Sequence, residues 1–480
     1  MKLKVASLRR LGVCCLAWTS VCGAVFATEF PTVKVKWFET AITPEIGTLI
    51  AGYEEHDVST SKFDDLMAIG LCVNDGSNKV MLVSLDLIGL DAESIAEIRR
   101  RVSAATGVPA GGVMVTCTHT HQGPHTRIYS RRNAITGEKT AYDDRPGSID
   151  SQYMEFLFAR IEEAAKGLEA REWEPCSVGY YSQSCDENRN RRYTTSENRA
   201  SFNAHRPFLH RITDGIADKE LGTVVFLDKD FRPVYVIGNY AAHALTAHAP
   251  GAGGLRISSD FPGFYRRYIR TETGAKAMFV QGAAGDLVTK DDECGSAAAR
   301  KVGENLAMAS ITGIISVQRC YERYGLAKPR VGWDLRSFTS PLRRKWREMT
   351  GNAEQSFDVQ CLAIGDVCFV GFPGELVSEL GLEVKWNSPF ARTYIAYLAT
   401  GYCGYIVPPN LMAAGGYEAQ SQRFASRDVL KMVKTASDAM FDLRSRLFPE
   451  DDVGDDPYPD NRNAPLVDVP GMHKGSKWDR

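Results

Sequence analysis

Residues 113–125 read VMVTCTHTHQGPH. The apolar run at its start predicts a buried strand from Val113 to Thr118. That strand leads into His119 and His121 and is stopped by Gly123-Pro124. Side chains alternate along a strand, so the spacing predicts both imidazoles on one face at the strand's C-terminal end. There they can converge on one ion or substrate. The plainer alternative is a solvated strand end with incidental histidines. HxH alone is shared by several unrelated metallohydrolase classes. The chain has only nine histidines in 480 residues, and five of them fall in this stretch and one other.

The other stretch is PVYVIGNYAAHALTAHAP, residues 233–250, where His243 stands at the expected end of an apolar strand and His248 follows. A core histidine with a satisfied ring would read the same way. In DVCFVGFPGELVSELGLEV, residues 366–384, a strand ends in Gly371-Phe372-Pro373-Gly374 and Glu375 is expected to open a helix. By itself Glu375 is a helix N-terminal acid favoured by the dipole. Beside two histidines it completes a zinc ligand set of the kind that leaves a fourth position for water. KAMFVQGAAGDLV, residues 276–288, reads as a strand and a small-residue loop in which backbone can approach a ligand closely. YLATGYCGYIVPP, residues 397–409, offers Tyr402 and Tyr405, which in isolation read as core.

Short apolar runs alternate with helical stretches along the rest of the chain. Strands are expected at Lys79–Leu85, Val234–Ile237, Ala277–Val280 and Val367–Val370. A hairpin is expected to turn on Gly365-Asp366, and helices over Gln152–Ala170 and Phe424–Leu447. The fold class is therefore α/β (α+β): mixed sheets packed with helices, a site at strand C-terminal ends, and a single large domain. Arg127–Asp150 and Asp186–Asp218 read as polar loops. Residues 449–480, beginning PEDDVGDDPYPDNRN, read as a disordered tail.

Hydrophobic residues make up 44% and charged residues 24%, which excludes wholesale disorder, and a net charge of −2 gives no basic footprint for nucleic acid. Lys2, Lys4, Arg9 and Arg10 precede an apolar Leu11–Val25, and small residues end at Ala27. Residues 1–27 therefore read as a signal peptide, and the product as exported, to the periplasm or the medium. Nothing later is long and apolar enough to span a bilayer. Nine of the twelve cysteines lie beyond that segment, scattered and without a C-x-x-C pair. They suggest neither a disulfide framework nor a cysteine zinc site, and several serve as small buried apolar residues.

Taken in order, ITPEIGTLIAGY, DDLMAIGLCV, VMLVSLDLIGL, THTHQGP, GNYAAHALT, SSDFPGF, QGAAGD, FPGEL, GYCGYI and GGYEAQ resemble the N-terminal catalytic domain of the neutral/alkaline non-lysosomal ceramidase family. The likeness runs from about Val33 to Leu447, within a domain set at 28–448. It implies a catalytic zinc held by His119, His243, Glu375 and Tyr405, with Tyr402 a close rival of Tyr405. It also implies that His121 faces the substrate or passes a proton. From ENRNRRY, residues 187–193, it implies that Arg191, with Arg189 as the rival register, steadies charge on an acyl oxygen. Three departures bear on the substrate. Val288 stands where the family has a serine important to catalysis. Gln122 and Ala244 replace a serine and a proline beside the histidines. The stretch after Leu447 is expected to leave no room for the family's immunoglobulin-like domain.

The resemblance thus implies zinc-dependent hydrolysis of an amide (N-acyl) or ester bond in a small-molecule or lipid-like substrate, by a water that zinc makes acidic. Two alternatives stand beside it: a zinc-containing binding relative without catalysis, and a metallohydrolase of another ester class.

Overall fold

The computed structural model describes residues 30–52, 58–126, 151–194, 200–202, 213–248, 255–291 and 293–451. The strands used below are β1 (Thr32–Ala41), β2 (Met67–Asn74), β3 (Lys79–Leu85), β4 (Val113–Cys117), β5 (Glu174–Ser184), β6 (Asn188–Asn190), β7 (Glu220–Leu227) and β8 (Pro233–Tyr240). They continue with β9 (Lys276–Gln281), β10 (Leu287–Thr289), β11 (Val331–Pro341), β12 (Glu354–Ile364), β13 (Val367–Gly371), β14 (Glu375–Leu376), β15 (Arg392–Ala396) and β16 (Tyr405–Ile406). The helices are α1 (Ala92–Thr106), α2 (Ser151–Lys166), α3 (Asp260–Thr273), α4 (Ser296–Arg319), α5 (Ser378–Trp386) and α6 (Ser426–Leu447).

Eight strands form one sheet in the order β9-β8-β7-β5-β1-β2-β3-β4. The pairs β8/β9 and β3/β4 are parallel and the rest antiparallel. The parallel strands read as unbroken apolar runs because both faces are covered; β4 is buried throughout. A second sheet, β11-β12-β13-β15, packs one face against the first, its Leu362, Phe369 and Tyr394 sharing one buried cluster with Trp37, Leu71 and Ile237. Its other face carries Cys361, Ala363 and Val370 into a core shared with Met432, Ala436 and Met440 of α6.

Helix α1 starts on the Asp91 side chain, which accepts from Ser94 N at 2.8 Å, and ends on Gly107. The hairpin between β12 and β13 turns on Gly365-Asp366 as expected, with Gly365 at φ +57°. The mixed α/β class is that read from the sequence, and no helix among the described residues is long and apolar enough to cross a membrane. The nine cysteines among the described residues are all free thiols.

Three expectations need correction. Glu375 opens no helix; it lies in the two-residue strand β14, and α5 begins only at Ser378. Asp186–Asp218 is not a plain loop. Its described part holds β6, paired with β10, and the small sheet of Arg192–Thr194, Ala200–Phe202 and Thr213–Asp214. Those strands are too short and too polar to leave a period in the sequence. The ordered fold also runs past Phe448, because Glu450 and Asp451 bind Lys328 and Arg330 bonds Glu450. The expected signal peptide at residues 1–27, Arg127–Asp150 and residues 452–480 lie outside the described residues.

Candidate metal centre

Strand β4 ends at Cys117, two residues before His119, so strand alternation does not aim the histidines. The turn does. His119 adopts φ +62°, a left-handed conformation uncommon for a residue with a side chain. Thr118 N and His119 N donate to Leu85 O and Leu87 O, and His121 N donates to Ala244 O at 3.0 Å. Asp86 braces the turn from below. Its buried carboxylate takes both Arg266 Nη atoms and the Thr118 hydroxyl. Leu398, beside Tyr397, is also left-handed. Backbone strain of this kind gathers where geometry is held for a purpose.

His243 follows β8 by three residues, and its N–H donates to Leu287 O. Its Nδ1 lies 2.6 Å from Ala284 O and 3.1 Å from Leu287 O. His119 Nδ1 lies 2.6 Å from Ile88 O. A carbonyl only accepts, so both rings carry their proton on Nδ1 and present a bare Nε2. Burial first, and then the Arg191 charge, push the His243 imidazole down to about 4, which keeps it neutral as a metal ligand must be.

The nitrogens of His119, His121 and His243 lie within 4.8 Å of one another, His119 and His243 buried and His121 partly so. His121 Nε2 is 3.4 Å from His119 Nε2. Glu375 Oε2 is 3.5 Å from both His119 Nε2 and His243 Nε2. A tetrahedral ion with bonds of about 2.0–2.1 Å sets its ligand atoms about 3.3–3.4 Å apart. His243 Nε2 is buried and makes no hydrogen bond, an expensive state for a polar atom unless something is coordinated there. The donor set and this orphaned nitrogen fit a zinc ion. The histidine cluster could bind a metal.

Glu375 is delivered by β14, which pairs in parallel with β16, so that Glu375 and Tyr405 stand opposite each other. The Gly285 backbone packs against this strand: a Cβ on Gly285 would sit 2.7 Å from Glu375 O. The close approach read into QGAAGD is therefore made to β14 itself. Tyr402 donates to Glu375 Oε1 at 2.9 Å, and the Tyr397 hydroxyl is 3.3 Å from Oε2. Tyr397 also sets its ring edge-on to His119, centroids 5.3 Å apart.

Of the two arginines, Arg191 faces the site. It is buried, donates Nη2 to Tyr405 Oη at 3.0 Å and to Gly285 O at 2.8 Å, and donates Nε to Glu418 Oε1 at 2.9 Å. Arg189 instead donates to Lys290 O. Glu418 is fully buried and also takes Arg192 Nη1 at 2.5 Å. Burial pushes its carboxyl up, but Arg191 and Arg192 outweigh this and hold it below the usual carboxylate range. Asp286 joins the pieces. It accepts from Asn190, Ser378 N and Ser378 Oγ, and its carbonyl takes Arg191 N. Val288 sits buried on β10 opposite Arg189.

The expected residues His119, His121, His243 and Glu375 thus meet, with Arg191 and Tyr405 paired to one another beside them. Sequence reasoning passed over Tyr397 and Glu418, although both lie in quoted segments. The parity of YIAYL and the Gly-Gly before Tyr417-Glu418 are the faint signals. No family model matches the sequence, and no curated protein does either. Solved structures do match. The neutral ceramidase from Pseudomonas aeruginosa superposes with a TM-score of 0.68 at 16% identity, over 87% of this chain and 75% of that one. A ceramidase complexed with C2 gives 0.67 at 16%, over 87% and 76%. This chain has the fold of the neutral ceramidases.

Proposed function

We propose that the chain is an exported zinc-dependent hydrolase, with residues 1–27 as its leader and 28–448 as its catalytic part. His119, His243 and Glu375 hold the metal, and Tyr405 completes the set. The observation that carries this is the convergence of two bare, carbonyl-fixed Nε2 atoms on one carboxylate oxygen, each 3.5 Å from it and so near the spacing of ligands on a tetrahedral ion. Bound there, zinc supplies a water acidic enough to act as nucleophile near neutral pH.

The chain's own residues do the rest. His121 stands at the partly open side of the cluster, where it moves the proton between nucleophile and leaving group. Arg191, locked by Glu418 and Gly285, donates Nη2 to the Tyr405 oxygen and with it steadies negative charge developing on the acyl oxygen. The substrate class is an N-acyl amide or an ester with a lipid-like acyl group, in keeping with the ceramidase fold. Val288 removes a hydroxyl but no metal ligand, so the nucleophile survives and ceramide preference is what changes.

The test is a purified-protein assay: zinc content, then turnover of N-acyl amides, carboxylic esters and phosphate esters with and without chelator. About one zinc per chain and chelator-sensitive amide or ester cleavage, lost in Glu375→Ala, is the expected result. Zinc without turnover on any probe would leave a binding protein. Phosphate-ester cleavage alone would assign another hydrolase class.

A further inference from the structure

The two oxygens of Glu375 meet different partners. Oε2 stands 3.5 Å from the bare nitrogens of His119 and His243, while Oε1 accepts the Tyr402 hydroxyl at 2.9 Å. Tyr402 is itself held. The Arg423 guanidinium lies 4.9 Å from its ring centroid, and Arg423 Nη1 donates to its carbonyl at 3.4 Å. The Tyr397 contact to Oε2 is longer, at 3.3 Å, and shares the oxygen that faces the histidines.

We propose that Tyr402 is a positioning residue that occupies Glu375 Oε1 and thereby limits the carboxylate to one ligating oxygen. This inference rests on the metal-site reading above. A carboxylate relieved of that bond can turn and offer both oxygens, which raises the coordination number and crowds the place a substrate oxygen needs. An outer partner of this kind commonly changes metal affinity by about 10–100-fold.

The experiment compares wild type, Tyr402→Phe and Tyr397→Phe, each stripped of metal and reloaded. Zinc affinity is read by competition with a chromophoric chelator, and coordination by the visible absorption of the cobalt(II)-loaded protein. Phenylalanine keeps the ring under Arg423, and circular dichroism checks the fold. Tyr402→Phe is expected to shift zinc affinity by about tenfold or more and to weaken the cobalt bands, as a more crowded ion absorbs less. Tyr397→Phe is expected to change both less.

Wild-type zinc binding with an unchanged affinity and cobalt spectrum in Tyr402→Phe overturns the role of Tyr402 and leaves the metal site standing. A wild type that takes up neither ion overturns the metal site, and this role with it.

Discussion

The two halves of the site are held by different means. The histidine half is fixed by main chain: Ile88, Ala284 and Leu287 carbonyls orient the rings, and backbone bonds from Thr118, His119, His121 and His243 set the turns. The carboxylate half is fixed by side chains. Tyr402 and Tyr397 reach Glu375, and Arg191, Glu418 and Arg192 form a buried chain of charge beside Tyr405. Main-chain scaffolds survive most nearby substitutions, whereas a side-chain network fails at whichever member is removed.

The largest effect expected is on the metal itself. On the proposed metal-site reading, His243→Ala removes one ligand and leaves His119 and Glu375 with only the partly buried His121 nearby, so zinc content should fall well below one per chain with the circular dichroism spectrum kept. Retained stoichiometric zinc would break the comparison, since the histidine half would then not be the metal's anchor. The next effect is on stability. Glu418→Ala strands two buried guanidinium groups and should cost about 3–5 kcal/mol in urea unfolding. A loss under about 1 kcal/mol would mean that water or another group takes up that charge, and that the side-chain half is less brittle than its geometry suggests.

A smaller effect tests His121, which stands between the halves. Gly52 has φ +91°, and a Cβ there would sit 2.3 Å from His121 Nδ1. Gly52→Ala should cost about 1–3 kcal/mol of backbone strain and push the ring aside. Turnover should fall about tenfold or more while zinc is retained, as for a displaced proton carrier. Loss of zinc instead would move His121 into the ligand set.

The same contrast explains what could be read from the sequence. The histidines were legible because they are rare and stand where apolar strands end, a local pattern. The buried parallel strands were legible for the same reason. Tyr397, Tyr402 and Glu418 act only through partners far along the chain; the Arg191–Glu418 bond spans 227 positions. Locally the tyrosines look like core, and Glu418 lies in a helix of five residues. The order of the eight-stranded sheet was not legible either, because neighbours such as β1 and β5 are joined by contacts that no period records. The left-handed turn at His119 is set by bonds to Leu87 and Ala244, so strand parity gave the right residues for the wrong reason.

The smallest effect probes the one place where the histidine half leans on a side chain. Asp260 is fully buried at φ +54°, and its carboxylate takes Ala247 N and Phe261 N, each at 2.6 Å. It thereby anchors the turn that follows His243. Burial, with Asp64 nearby adding repulsion, pushes its carboxyl up to about 7, even though the Ala247 and Phe261 N–H bonds pull the other way. A folded value above the unfolded one means that the fold binds a proton the open chain does not. Its stabilising contribution is therefore present at low pH and is lost as pH rises through about 7.

In metal-free protein, titration of the histidines is common to wild type and Asp260→Asn and cancels in their difference. The wild type should lose stability relative to the variant between pH 5 and 7, by at most about 1.4 kcal/mol per pH unit, and the difference should level off above that. A flat difference across this range would mean that the carboxylate stays ionised on its two N–H donors. The turn after His243 would then be held by charge, and the division between a main-chain half and a side-chain half would have to be redrawn at Asp260.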